Sequence, residues 1–233
     1  MTVSSRSKRK ATTRSASRGN STLYWLIGGG VVMIGLIVFA IMLNTGGATG
    51  PIPQPDVPEG WIDGMSLGDP EAPIVVEAYE DFLCPHCREW TESVENQLRS
   101  SYIKEGQVRL VYHTFPLEGF APGSRLAAQA AYCAAAQNYF WPYHDNLFAV
   151  QTRGQSAYTI EELISYAGTL GLNERDFTQC MSSMANAQDI AETVNEGVNR
   201  GVTGTPSVFI NGENVQSDWG TVQTTIDNLL AAN

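Results

Sequence analysis

From Leu23 to Leu43 the chain runs for 21 residues without a charge. As a helix, at ~1.5 Å per residue, that stretch spans roughly 31 Å, the thickness of a bilayer's hydrocarbon core. Arg6, Lys8, Arg9, Lys10, Arg14 and Arg18 precede it with no acid among them, and Tyr24 and Trp25 stand at its entrance. Basic flanks stay on the cytoplasmic side, and amphipathic rings favour the headgroup level. The expectation is a transmembrane anchor (residues 21–43) behind a basic cytoplasmic tail (residues 1–20), with a single pass and everything later outside the cytoplasm. A cleaved signal peptide, ending near Gly46-Gly47-Ala48, is the alternative, although its apolar region is usually only ~7–15 residues. Either way the folded part is exported. No cysteine precedes Cys84, so a lipid-modified cysteine is not an option.

Residues 44–60 read as a linker, with Gly46, Gly47, Gly50, Pro51, Pro53, Pro55 and Pro58. Repeated proline fixes φ and removes backbone donors, which makes such a stretch an extended spacer. The formal charge of −10 is the sum of a basic first 20 residues and a remainder of −16. The basic stretch is short and lacks interleaved aromatics, so no nucleic-acid partner is expected.

Residues 61–233 are expected to fold as one α/β domain. Ile74-Val75-Val76-Glu77-Ala78-Tyr79 is a β-branched run suited to a buried strand, and 108–115 reads as a second, ended by Pro116. Between them lie Cys84-Pro85-His86-Cys87 and a helical stretch to about Tyr102, a parallel strand–helix–strand unit. From about 120 to 200 the pattern is helical. Ser124 to Gln137 is rich in Ala and Leu, Thr159 and Glu162 have capping-box spacing, Asn173 is placed to cap, and Ala187 to Asn199 precedes Gly201. Ser207-Val208-Phe209-Ile210 resumes as a strand, Asn211-Gly212 predicts a hairpin, and 218–231 closes as a helix.

Four cysteines in an exported chain suggest disulfide chemistry. Cys84 follows a strand and opens a helix, where free N–H groups and the helix dipole favour an anion and lower a thiol's pKa. A stabilised thiolate favours the reduced form and makes the disulfide a stronger oxidant. Cys84 is expected to be the exposed, attacked sulfur and Cys87 the resolving one; Pro85 sets the helix start and His86 can donate to the sulfur. A zinc half-site and an inert disulfide are the rivals, but no second ligand pair exists, so no metal is expected. Cys133 and Cys180, on separate predicted helices, are expected to form a structural disulfide, against two free buried thiols or a second redox relay.

The order strand, C-P-H-C, helix, strand, helical block, then Gly204-Thr205-Pro206 before a strand resembles the DsbA-like branch of the thioredoxin superfamily over nearly all of 61–233. Asp81 to Cys87 looks like its active-site segment, and Gly201 to Gly212 looks like its cis-proline loop. Phe140-Trp141, His144 and Leu147-Phe148 are similar to part of its inserted helices. The resemblance implies a thioredoxin-like fold with an inserted helical subdomain, a cis Pro206 beside Cys84–Cys87, and substrate pairing along the Thr205 backbone. The Pro-His dipeptide between the cysteines implies a strongly oxidising member. Relatives often carry a buried acid six residues before the first cysteine, where this chain has Ala78. Glu80 has the same strand parity and could replace it in handling the Cys87 proton, but is expected to be a solvated loop acid. His113 and His144 read as packing or surface residues.

These readings converge on an extracytoplasmic thiol–disulfide oxidoreductase that needs no cofactor and oxidises reduced or unfolded exported proteins. A membrane redox partner would reoxidise it. The alternatives are a membrane-tethered thiol reductase and a redox-inert module that binds clients.

Overall fold

The computed structural model describes residues 52–232. The expected tail (1–20), the expected anchor (21–43) and residues 44–51 of the expected linker lie outside them. Among the described residues no helix is long and apolar enough to cross a membrane.

Among the described residues six strands form one sheet in the order β1-β2-β4-β3-β5-β6: β1 Ile62–Asp63, β2 Ser66–Leu67, β3 Ile74–Glu80, β4 Val108–Thr114, β5 Ser207–Ile210 and β6 Glu213–Val215. Only β3 and β4 are parallel, from Ile74 opposite Val108 to Glu80 opposite Thr114. Helix α1 (85–103) connects them, as a parallel pair requires a crossover. The turn between β5 and β6 uses Asn211 and Gly212, both at positive φ (47° and 87°), as the Asn-Gly pair predicts. The small β1–β2 hairpin has no clear sequence signal.

Helix α1 is less regular than its sequence suggests, with π-helical turns at Thr91–Glu95 and Arg99–Ile103. Its Val94, Leu98 and Ile103 join Ile74, Val76, Ala78, Leu110, Val208 and Ile210 in the main core. Val222 and Ile226 of α7 (Trp219–Ala232) complete it. The inserted block contains α2 Gly123–Ala135, α3 Phe140–Ala149, α4 Ile160–Thr169, α5 Glu174–Ser183 and α6 Ala187–Asn199. Thr159 Oγ1 accepts the Glu162 N–H to cap α4, and Asn173 accepts from Arg175 and Asp176 to cap α5. The Glu162 carboxylate does not complete a capping box; it pairs with Arg153 at 3.0 Å.

A smaller core of Tyr79, Phe115, Val202 and Phe209 forms separately, with Val194 of α6 packed against it. A Cβ on Gly197 would come within 2.9 Å of the Tyr79 ring and 3.0 Å of Phe115, so α6 can approach only because that residue is glycine. Residues 52–60 do not stand clear of the domain. Ile52 and Val57 pack on the main core, and Gln54 Nε2 donates to Asn138 O at 2.7 Å.

Candidate active site

The chain leaves β3 at Glu80 and turns through residues 81–84 into α1. Asp81 builds that turn: its Oδ1 accepts the Leu83 N–H at 2.8 Å, and its carbonyl accepts the Cys84 N–H at 3.0 Å. Cys84 is the N-cap residue of the helix, with φ −75° and ψ 120°. Pro85 takes the first helical position, where its missing N–H leaves no bond unmade. One turn further in, Cys87 is fully buried and its sulfur accepts the Asp81 N–H at 3.4 Å. Cys84 and Cys87 are both free thiols and both buried, so Cys84 is not the exposed sulfur expected from the sequence: the Thr205 loop covers it.

Across from the helix start, the loop before β5 carries a cis bond between Thr205 and Pro206. Cys84 Sγ lies 3.4 Å from Thr205 O, the S–H donating. The adjacent groove, about 540 Å³, is lined by His86, Trp90, Thr205, Pro206, Asp218 and Trp219 among others.

The two thiols differ sharply in acidity. Cys84 is lowered to about 5, first by a hydrogen bond from the Cys87 thiol, with burial opposing. The Thr205 side chain and the N–H groups of Cys87 and His86 add to the lowering. Cys87 is pushed well above the usual thiol range by burial, then by its hydrogen bond to Cys84 and the charge of Glu80. A thiolate near neutral pH thus sits beside a thiol that keeps its proton, which is the asymmetry that disulfide exchange uses.

The family model described as Thioredoxin matches residues 62–228. The chain belongs to the thioredoxin family. It is 31% identical over 170 residues to the "Probable disulfide bond formation protein D" of Bacillus anthracis, covering 71% of this chain and 78% of that one. It is also 35% identical over 163 residues to the "Na(+)/H(+) antiporter NhaA 3" of Salinispora tropica, but covers only 24% of that longer protein. Among solved structures, BdbD of Bacillus subtilis superposes with a TM-score of 0.66 at 21% identity, over 72% of this chain and 94% of that one. The chain is therefore a DsbA-like thiol–disulfide oxidoreductase with a thioredoxin-like fold and a helical insertion.

In this oxidoreductase the His86 ring is mostly exposed and turns towards Glu89, Nδ1 lying 3.7 Å from the carboxylate. Its backbone N–H favours the ionised Cys84 sulfur without closing a hydrogen bond to it. Cys133 and Cys180 are joined, 47 residues apart in sequence, linking α2 to α5. His144 is fully buried among aromatic rings with Nδ1 2.8 Å from Asp145, and His113 stacks on Tyr79 at 4.5 Å with Nε2 3.2 Å from Glu77.

Glu80 corrects the expectation of a solvated loop acid. It is the last residue of β3 and only 1% exposed, because even-numbered β3 positions face the core. Burial, then the negative charge of Glu95, raise its pKa well above the carboxylate range, with Arg99 opposing. The Trp90 indole favours its charged form without closing a hydrogen bond, and neither Glu80 oxygen has such a partner among the described residues. The parity of β3 was the available signal. Asp81 is the residue that sequence reasoning passed over: buried, it accepts from Leu83 and Leu117 N–H and from Ser124.

Proposed function

We propose that the chain works outside the cytoplasm as a dithiol oxidase, using Cys84 and Cys87 to introduce disulfides into exported proteins. What carries the reading is the Cys84 thiol, lowered to about 5 at a helix start that borders an open groove and the Thr205 backbone. A substrate thiolate attacks Cys84 Sγ of the oxidised pair, forming a mixed disulfide and expelling Cys87 as a thiolate. Cys87, whose surroundings favour the thiol, takes a proton, and neutral Glu80 is the acid beside it. A second substrate thiol, deprotonated as it attacks, displaces Cys84 as a stable thiolate. The substrate loses two electrons to the pair, and one of its two thiol protons ends on Cys87 while the other reaches solvent. Thr205 and Pro206 hold the substrate backbone in extended pairing.

The residue assignments, the domain boundaries 1–20, 21–43, 44–60 and 61–233, and the structural role of Cys133–Cys180 belong to the same reading. So does a membrane-borne oxidant that restores the Cys84–Cys87 disulfide, with the N-terminal anchor holding the enzyme near it. The likeness to disulfide bond formation protein D supports the direction of the reaction. The test combines Cys84→Ser with a measured potential. Cys84→Ser is expected to abolish oxidation of a reduced, unfolded protein. Equilibration of the wild type against glutathione is expected to give a potential well above the ~−270 mV of thioredoxin. A value near that of thioredoxin makes the chain a reductase; an unreactive Cys84 makes it a client-binding module.

A further inference from the structure

The inserted block reaches the carbonyl of Cys84 through Gln151. Gln151 begins the 3-10 segment Gln151–Tyr158 between α3 and α4. Its Nε2 donates to Phe82 O at 2.7 Å and to Cys84 O at 3.0 Å. A primary amide carries two N–H donors on one nitrogen, so it can hold two carbonyls at once. Those two carbonyls bracket the Leu83–Cys84 peptide, the last link before α1. Tyr158 OH, from the end of the same segment, also reaches Phe82 O at 3.0 Å.

The Cys84 carbonyl has a second duty. It is the first acceptor of α1, taking the N–H of Cys87 at 3.1 Å and of Arg88 at 3.3 Å. Its direction fixes ψ of Cys84, and with it where the N–H groups of His86 and Cys87 lie relative to the Cys84 sulfur. A donor placed on that oxygen also offsets the negative end of a carbonyl dipole close to the thiolate. Both effects favour the ionised sulfur. The other groups acting on Cys84 come from different elements: Cys87 and His86 on α1, Glu80 and Asp81 at the exit of β3, and Thr205 in the loop before β5.

We propose that Gln151 is a positioning residue for thiol–disulfide exchange, holding the Phe82 and Cys84 carbonyls so that the Cys84 sulfur stays aligned with the first-turn N–H groups. The inserted helices thereby tune the reactive cysteine instead of only covering the sheet. The inference rests on the reading of Cys84 as the reacting sulfur.

The experiment compares wild type, Gln151→Leu, Gln151→Glu and Tyr158→Phe by the pH dependence of thiolate absorbance and by redox equilibration with glutathione. Gln151→Leu removes both donors. It is expected to move Cys84 from about 5 to roughly 6 and lower the potential by ~30 mV, the equivalent of a tenfold change. Gln151→Glu keeps the shape, loses the donors and adds a negative charge, so its Cys84 pKa rises at least as far. Tyr158→Phe leaves the Cys84 carbonyl bond in place and is expected to stay near wild type in both readouts. If Gln151→Leu and Gln151→Glu lower thermal stability yet keep the wild-type pKa and potential, Gln151 is structural only and the proposal is overturned. Should Gln151→Leu not fold, Gln151→Glu alone decides by the same two readouts. A wild type in which alkylation assigns the acidic thiol to another cysteine overturns the underlying reading of Cys84 instead.

Discussion

Ser124 Oγ lies 2.7 Å from both carboxylate oxygens of Asp81, joining the turn before Cys84 to the first inserted helix. The same carboxylate accepts the Leu117 N–H at 2.7 Å, so one buried acid ties its own turn to two residues 36 and 43 positions further on. Asp81 is itself shifted upwards, burial outweighing the donors from Leu117, Leu83 and Ser124.

Ser124→Ala removes one donor from a buried acid. A hydrogen bond to a charged group is worth roughly 1.5–3 kcal/mol, and urea unfolding should show a loss in that range. The Asp81 carboxyl should also titrate higher in the variant, because a donor that favours its ionised form is gone. Unchanged stability would mean that water replaces the hydroxyl without penalty.

The pH dependence of the potential follows from the unequal thiols. Below about 5 both sulfurs of the reduced pair are protonated, and two-electron reduction takes up two protons, a slope of ~60 mV per pH unit. Above it, Cys84 stays ionised while Cys87 keeps its proton, and the slope should halve to ~30 mV. The sign for stability is that of a depressed acid. Cys84 stabilises the reduced form fully above its unfolded value of ~8.5, and that contribution is lost as pH falls through about 5. A slope that does not break near 5 contradicts the asymmetry.

Glu80 has the opposite sign. Its folded pKa is raised, so the folded state binds more protons than the unfolded one at pH above the unfolded value of ~4.3. The oxidised protein, where neither cysteine titrates, should therefore lose up to ~1.4 kcal/mol of stability per pH unit above that point until Glu80 ionises. Glu95, Arg99 and Trp90 are the neighbours that set where this happens. Glu80→Gln should flatten the decline in thermal melts as pH rises above the unfolded value of ~4.3. An equally steep decline in the variant would assign it to another group.

Cys133→Ser in combination with Cys180→Ser opens a 47-residue separation. The chain-entropy relation gives a loss of roughly 4 kcal/mol for a loop of that length. The alkylation rate of Cys84 should stay at the wild-type value, since the residues holding Cys84 and its turn, Ser124 at the start of α2, Gln151 and Thr205, are not themselves joined by the Cys133–Cys180 link. A large change in that rate would point to redox coupling between the pairs.

Much of this molecule can be read locally. The β3 and β4 runs, the caps at Thr159 and Asn173, the Asn211-Gly212 turn and the Cys84 helix start each depend on residues within a few positions, where propensity and capping act. Those signals are enough for the α/β frame and the helical insertion. The same sequence carries no local trace of the π-helical turns in α1 or of the packing of 52–60 on the domain. Nor does it reveal that Asp81 meets Ser124 or that Gln151 grips the carbonyls of Phe82 and Cys84. Those contacts join residues 43, 67 and 69 positions apart. Only the folded chain decides which polar groups share a water-poor interior; that exclusion of water raises the Glu80 pKa, while the Cys87 thiol and the helix start lower Cys84 against it.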